Sequence, residues 1–254
     1  SLALSGLNNT MAIQSNPEWV WPYWYELQRD PENEAFLPTG MNLVTANLVK
    51  RNWTSIGLAD SDREAMVDPV GMVTPRRYGW SLFPYLKLDG NDFYPPKIGP
   101  QVKQYLKNGS DTTIITEYHV DGRIHWQSEV DTFKYHGEEF ALLKVSVQNL
   151  TPESIHVDLG VTIRPYNCLT IGHINKLKYK DRVWRINRKP GVILLNEPDS
   201  IKIADRHLGD PLQRQRTSMN NPNRTSKSGI VSGLAEYEVD LDPMGRYEIE
   251  VLLY

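Results

Sequence analysis

Ile155-His156-Val157-Asp158-Leu159-Gly160-Val161-Thr162-Ile163-Arg164 alternates apolar residues with polar or small ones without a break. A period of two is the mark of an extended strand with one buried face. Ile155, Val157, Leu159, Val161 and Ile163 therefore share one side, and His156, Asp158, Gly160, Thr162 and Arg164 the other. The preceding segment repeats the pattern, with Ala141, Leu143, Val145 and Val147 opposed to Leu142, Lys144, Ser146 and Gln148. Asn149-Leu150-Thr151-Pro152-Glu153-Ser154 joins the two runs with turn-forming residues, which predicts a hairpin.

Working outward, residues 112–119 and 123–133 read as strands joined at Val120-Asp121-Gly122, where Asp-Gly is a strong two-residue turn signal. A meander is expected over 182–187, 191–196 and 200–204, and a closing hairpin over 234–241 and 246–254 around Asp242-Pro243-Met244-Gly245. Residues 212–229, poor in apolar side chains, read as a long exposed loop. Helical candidates are short, at 24–29 and 100–107. Ten of the 17 prolines lie in residues 1–100, so that portion is expected to be irregular, with strands at 41–51 and 78–86. No repeat of 20–50 residues is visible, which argues against a propeller or solenoid. The expected fold is all-β: a large antiparallel β-sandwich over residues 1–254 as a single domain, with an irregular, aromatic and Pro-rich covering in 1–100, regular strands in 111–254 and few short helices.

Composition removes several function classes. A net charge of −3 with Lys and Arg scattered among acids lacks the basic footprint of a nucleic-acid binder. No apolar run approaches the ~20 residues of a membrane-spanning helix. Cys168 is the one cysteine, so no disulfide closes within the chain, and no signal-like segment begins it; both lean toward the cytoplasm. Its last strand, running to Tyr254 without a polar tail, reads as a domain boundary within a longer protein.

The chemistry-bearing residues point away from a reaction. Glycoside hydrolysis needs two carboxylates across a cleft, and Glu129 with Asp131, or Glu236 with Glu238 and Asp240, share strand faces; alternating acids are also what a solvated face carries. A sugar epimerase needs a histidine opposite a carboxylate, for which His125 and Glu129 are the best candidates. The histidine spacings match no metal motif, and no nucleotide-binding or nucleophile-elbow motif occurs. No catalytic residue, metal or cofactor is assigned.

Three short motifs stand out. Trp19-Val20-Trp21-Pro22-Tyr23-Trp24 concentrates rigid rings that either stack on sugars or seal one packed body against another. Arg51-Asn52-Trp53-Thr54 and Arg164-Pro165-Tyr166-Asn167 each bring a cation, an amide and a ring together, either to bind hydroxyls or to tie a loop down. The candidates for carbohydrate binding or interdomain contact are Trp19, Trp21, Trp24, Arg51, Asn52, Trp53, Arg164, Tyr166 and Asn167.

With Phe36-Leu37-Pro38 and Val67-Asp68-Pro69, these motifs make nearly the whole chain resemble the N-terminal region of large bacterial six-hairpin glycosidase-like proteins, the glucoamylase, glycogen-debranching and trehalase-like group. The resemblance implies a β-supersandwich, similar to the galactose-mutarotase sandwich, that precedes and packs against a helical (α/α)6 barrel holding the catalytic acids. It implies a non-catalytic partner of that C-terminal helical domain, with an oligo- or polysaccharide as the whole protein's ligand. Two other readings stay open: a stand-alone carbohydrate-binding module and a mutarotase-like epimerase.

Overall fold

The computed structural model describes residues 22–36, 47, 52–61, 63–93, 101–109, 113–205, 207–212 and 223–254. One helix, α1 (Tyr23–Arg29), precedes the strands. In chain order these are β1 (Thr54–Ile56), β2 (Ala65–Val67), β3 (Val73–Thr74), β4 (Ser81–Leu88), β5 (Asn91–Phe93), β6 (Lys103–Leu106), β7 (Ile114–Val120), β8 (Ile124–Tyr135) and β9 (Glu138–Asn149). They continue as β10 (Ile155–Arg164), β11 (Lys176–Lys180), β12 (Val183–Ile186), β13 (Lys189–Leu194), β14 (Ser200–Asp205), β15 (Asn223–Thr225), β16 (Val231–Leu241) and β17 (Arg246–Leu253).

Among the described residues the strands form two antiparallel sheets that pack as a sandwich. Sheet one has eight strands in the order β1-β2-β3-β4-β10-β16-β14, with β5 also on β4; sheet two has nine, ordered β15-β11-β12-β13-β17-β9-β8-β7-β6. The alternation read from sequence assigns the faces correctly. Val157, Leu159, Val161 and Ile163 of β10 meet Leu143, Val145 and Val147 of β9 and Ile249, Val251 and Leu253 of β17 in one continuous core. Asp121 and Gly122 both take positive φ in the β7–β8 turn, as a tight Asp-Gly hairpin requires.

Two expected hairpins are instead arches between the sheets. β9 pairs with β8 and β17 in sheet two, whereas β10 pairs with β4 and β16 in sheet one. The closing pair does the same, β16 lying in sheet one and β17 in sheet two. The physical reason is that an amphipathic strand satisfies its apolar face from either side of a shared core. The two arches lie against each other: the Asn149 N–H donates to Gly245 O at 2.9 Å, and the Met244 N–H to Thr151 O at 3.2 Å. The Asn149 side chain fixes the corner, donating to Glu153 O at 2.6 Å and Asp242 O at 3.0 Å while accepting from the Thr151 N–H. The third strand of the expected meander, β14, likewise crosses to sheet one and pairs with β16.

Other expectations shift. Residues 100–107 contain the edge strand β6 rather than a helix, paired with β7 from Lys103 to Leu106. Residues 24–29 are helical within α1. Pro84 stands in the interior strand β4, opposite Val161. It is tolerated because β4 meets β3 only at Leu82 and β5 only from Leu86, so the flank at residue 84 has no ladder to break. The strand expected at 41–51 falls outside the described residues except for Asn47, as does most of the loop at 212–229, whose described part includes the strand β15 paired with β11.

Candidate functional site

The outer face of sheet one carries a second core. Tyr23, Trp24 and Tyr25 of α1 pack with Met66, Val70, Met72, Phe83, Tyr166, Cys168 and Ile230, and Trp53 lies partly buried against them. Helix α1 is preceded by its N-cap Pro22, at φ −57 and an extended ψ of 132, whose carbonyl accepts the Tyr25 and Glu26 N–H groups. Its three consecutive aromatic residues are all buried, which a seven-residue helix achieves by sitting in a hollow rather than on a flat surface.

The motif residues supply the polar fastenings of this core. Trp24 is fully buried, and its indole N–H donates to Asn167 O at 3.1 Å. The Tyr23 hydroxyl donates to Asp68 Oδ2 at 2.6 Å, while Asp68 Oδ1 accepts the Val70 and Met72 N–H groups. Asn167 donates through Nδ2 to Gly79 O at 2.5 Å, and its Oδ1 accepts the Leu169 and Thr170 N–H groups at 2.8 Å each. Tyr166 is buried, and its carbonyl accepts from Ser81 Oγ. Arg164, 3% exposed, donates from Nη1 to both Asp210 oxygens at 2.9 Å and from Nε to Thr162 Oγ1 at 3.0 Å. These six residues are held inside the protein, and none offers a ring or a cation to solvent. Asn52 is exposed and Trp53 half-buried. Trp19, Trp21 and Arg51 lie outside the described residues.

This fastening fixes the turn before β4. At Gly172 a methyl group would stand 1.9 Å from Gly79 O, so two backbones approach as closely as glycine allows. The turn presents Arg76, Arg77 and Tyr78 outward, with Tyr78 at φ 63 and 59% exposed.

Buried Cys168 has its Sγ 3.8 Å from Met66 Sδ. Burial pushes its thiol up to about 11, so little thiolate forms at neutral pH. Native protein at pH 8 is expected to react with Ellman's reagent only after denaturant is added; stoichiometric reaction within minutes in buffer would show that the second core opens readily.

Farther along the same face a polar cluster escaped sequence reasoning. Glu236 accepts from the Tyr85 hydroxyl, from Lys202 Nζ at 2.6 Å and from Ser200 Oγ at 3.0 Å. Tyr85 lies across Gly160, where a methyl group would stand 2.2 Å from the ring. The small residue at 160 in an otherwise bulky strand was the available signal. Burial opposes ionisation of Glu236, but Lys202, Tyr85 and Ser200 outweigh it and hold the carboxyl below its usual range. A glycosidase acid needs the opposite shift. Because the folded value is depressed, the stabilisation is present above the ordinary glutamate value near ~4.3 and is lost as pH falls through the folded one. Glu236→Gln is therefore expected to lower Tm at pH 7, with the gap to the parent narrowing below about pH 4. A gap independent of pH would refute the ion pairing.

The outer face of sheet two is a lattice of charged side chains. Glu129 accepts from Lys107 Nζ and Gln127 Nε2, each at 2.8 Å, and Asp131 accepts from Thr113 Oγ1 at 3.1 Å. His125 approaches Glu117 at 3.3 Å and stacks on His119 at 4.8 Å between centroids. His125 and Glu129 thus have separate partners on an open face. Glu238 and Asp240 of β16 are exposed, and Asp240 contacts His156 Nδ1 at 2.7 Å, which with Asp158 raises the imidazole above its usual value. No group of three or more His, Cys, Asp or Glu residues is arranged to hold a metal among the described residues. None of their helices is long and apolar enough to cross a membrane.

No protein-family model matches the chain, and no curated protein does. Among solved structures it is similar to a putative kojibiose phosphorylase from human microbiome, at 8% identity and TM-score 0.39, over 75% of this chain and 22% of that one. It is also similar to a bacterial glucoamylase complexed with acarbose, at 11% identity and TM-score 0.49, over 80% of this chain and 32% of that one. The chain thus spans about a fifth to a third of the length of these structures.

Proposed function

We propose that this sandwich is the non-catalytic N-terminal domain of a carbohydrate-active, glycoside hydrolase-like protein, and that it packs against and supports a helical (α/α)6 domain. The observation that carries the reading is the use made of the resemblance motifs. Trp24, Asp68, Tyr166 and Asn167, spread over more than a hundred residues of sequence, fasten one second core on sheet one, and buried Arg164 ties Asp210 to the same sheet. Motif residues spent on a scaffold suit a domain that holds a partner, with any oligo- or polysaccharide bound by the whole protein. Buried Trp24 is removed as a stacking platform, which leaves Asn52 and Trp53, among the described candidates, to a carbohydrate-binding module. Separate partners for His125 and Glu129 weaken the epimerase reading.

The test is to express the complete reading frame beside the 254-residue chain and assay both on α-linked oligosaccharides. Hydrolysis or phosphorolysis by the longer protein alone, with helical hairpins following the sandwich, is the expected result. Turnover or anomeric equilibration by the short chain would overturn the proposal. Quenching of its tryptophan fluorescence by saturating sugar would favour the binding module instead.

A further inference from the structure

Asn108-Gly109 is the one Asn-Gly step in the sequence, and it follows the edge strand β6 in an exposed turn. Lys107 anchors the start of that turn. Its N–H donates to Thr113 O at 2.9 Å, and its Nζ donates to Glu129 Oε2 at 2.8 Å. Among the described residues no hydrogen bond engages the Asn108 side chain or the Gly109 N–H. Gly109 takes φ +79, and a methyl group on its Cα would meet nothing within 4 Å. The main-chain nitrogen that follows Asn108 is therefore shielded neither by a side chain of its own residue nor by a packed neighbour.

Other asparagines are held differently. Asn149 is fixed by its bonds to Glu153 O, Asp242 O and the Thr151 N–H, Asn167 by those to Gly79 O and the Leu169 N–H, and Asn187 by those to His173 O and the Asn175 N–H. Asn52 is exposed, but the half-buried indole of Trp53 follows it. At Asn108 a carboxamide and a main-chain nitrogen are tethered within reach of a five-membered ring, and tethering makes their reaction unimolecular. Hydroxide takes the Gly109 N–H proton, the nitrogen attacks Asn108 Cγ, the Cγ–Nδ2 bond breaks and ammonia leaves with a proton from water. Water then opens the resulting succinimide at either carbonyl, giving aspartate or, where the main chain runs through Cγ, isoaspartate.

We propose that Asn108 is a site of spontaneous deamidation through a succinimide, with water as co-reactant, which places a new carboxylate beside the Lys107–Glu129 bridge. The inference does not rest on the function proposed above. The purified chain is incubated at pH 8 and 37 °C and followed by peptide mapping with electron-transfer fragmentation, which tells isoaspartate from aspartate. Asn108 is expected to gain one mass unit at least tenfold faster than Asn52, at a rate within about tenfold of that in the synthetic peptide 105–111, and faster at pH 9 than at pH 7. In Asn108→Gln, where the ring would need six members, the same stretch should keep its mass. Conversion of Asn108 no faster than that of Asn52, a rate more than tenfold below the peptide's, or aspartate formed without isoaspartate would overturn the proposal. So would an equal mass gain in Asn108→Gln or a rate that does not rise with pH.

Discussion

Arg164→Leu is expected to lower the unfolding free energy by about 3–5 kcal/mol, because it leaves the Asp210 carboxylate buried without its cation. Asp210 is 9% exposed; both its oxygens accept from Arg164, and Oδ1 also accepts the Leu212 N–H. The stranded charge must take up a proton or draw water inward, and either loosens residues 207–212. The double variant Arg164→Leu/Asp210→Leu should recover much of the loss, since an apolar pair of similar volume often replaces a buried ion pair without penalty. Urea unfolding of the parent, both single variants and the double variant closes the cycle. A loss below about 1 kcal/mol for the single arginine variant, the range of exposed pairs, would show that water already reaches the pair.

The second large effect belongs to Trp24. Trp24→Ala is expected to cost about 3–5 kcal/mol, the usual range for deleting a buried indole. The lost hydrogen bond to Asn167 O adds to the cavity term. For a protein of this size the loss corresponds to a Tm lower by on the order of 10 °C. Trp24→Phe should keep most of the packing and lose mainly the hydrogen bond, so its cost should be about 1–2 kcal/mol beyond the smaller ring. Calorimetry on the three proteins distinguishes the terms. A Trp24→Ala protein that unfolds at the parental temperature would mean that α1 contributes nothing to the global transition.

How much of this was legible in the sequence depends on the range of the interaction. Alternation of apolar residues assigned the core-facing sides of β9 and β10 because a strand's two faces are set residue by residue. Alternation is silent about neighbours, so the β9–β10 and β16–β17 connections read as hairpins although each crosses between sheets. The same limit governed the motifs. Arg164 and Asn167 read equally well as sugar ligands or as structural ties, because their partners Asp210 and Gly79 lie 46 and 88 residues away. Glu236 stood among alternating acids as one more solvated carboxylate; its burial depends on Tyr85, which is 151 residues distant.

The arches have a consequence for how the chain acquires its structure. Since β10, β14 and β16 belong to sheet one while the strands on either side of them in sequence (β9, β11, β13, β15 and β17) belong to sheet two, neither sheet is completed by a contiguous stretch of chain. β4 must find β10, with Leu82 against Ile163, and β17 must return to β9, with Leu253 against Ala141. Closing loops of that length before their contacts form is slow, and refolding is expected on the scale of milliseconds to seconds or longer rather than microseconds. Cutting the chain between β10 and β11 would give halves that each lack strands of both sheets, and both should be unfolded when separated.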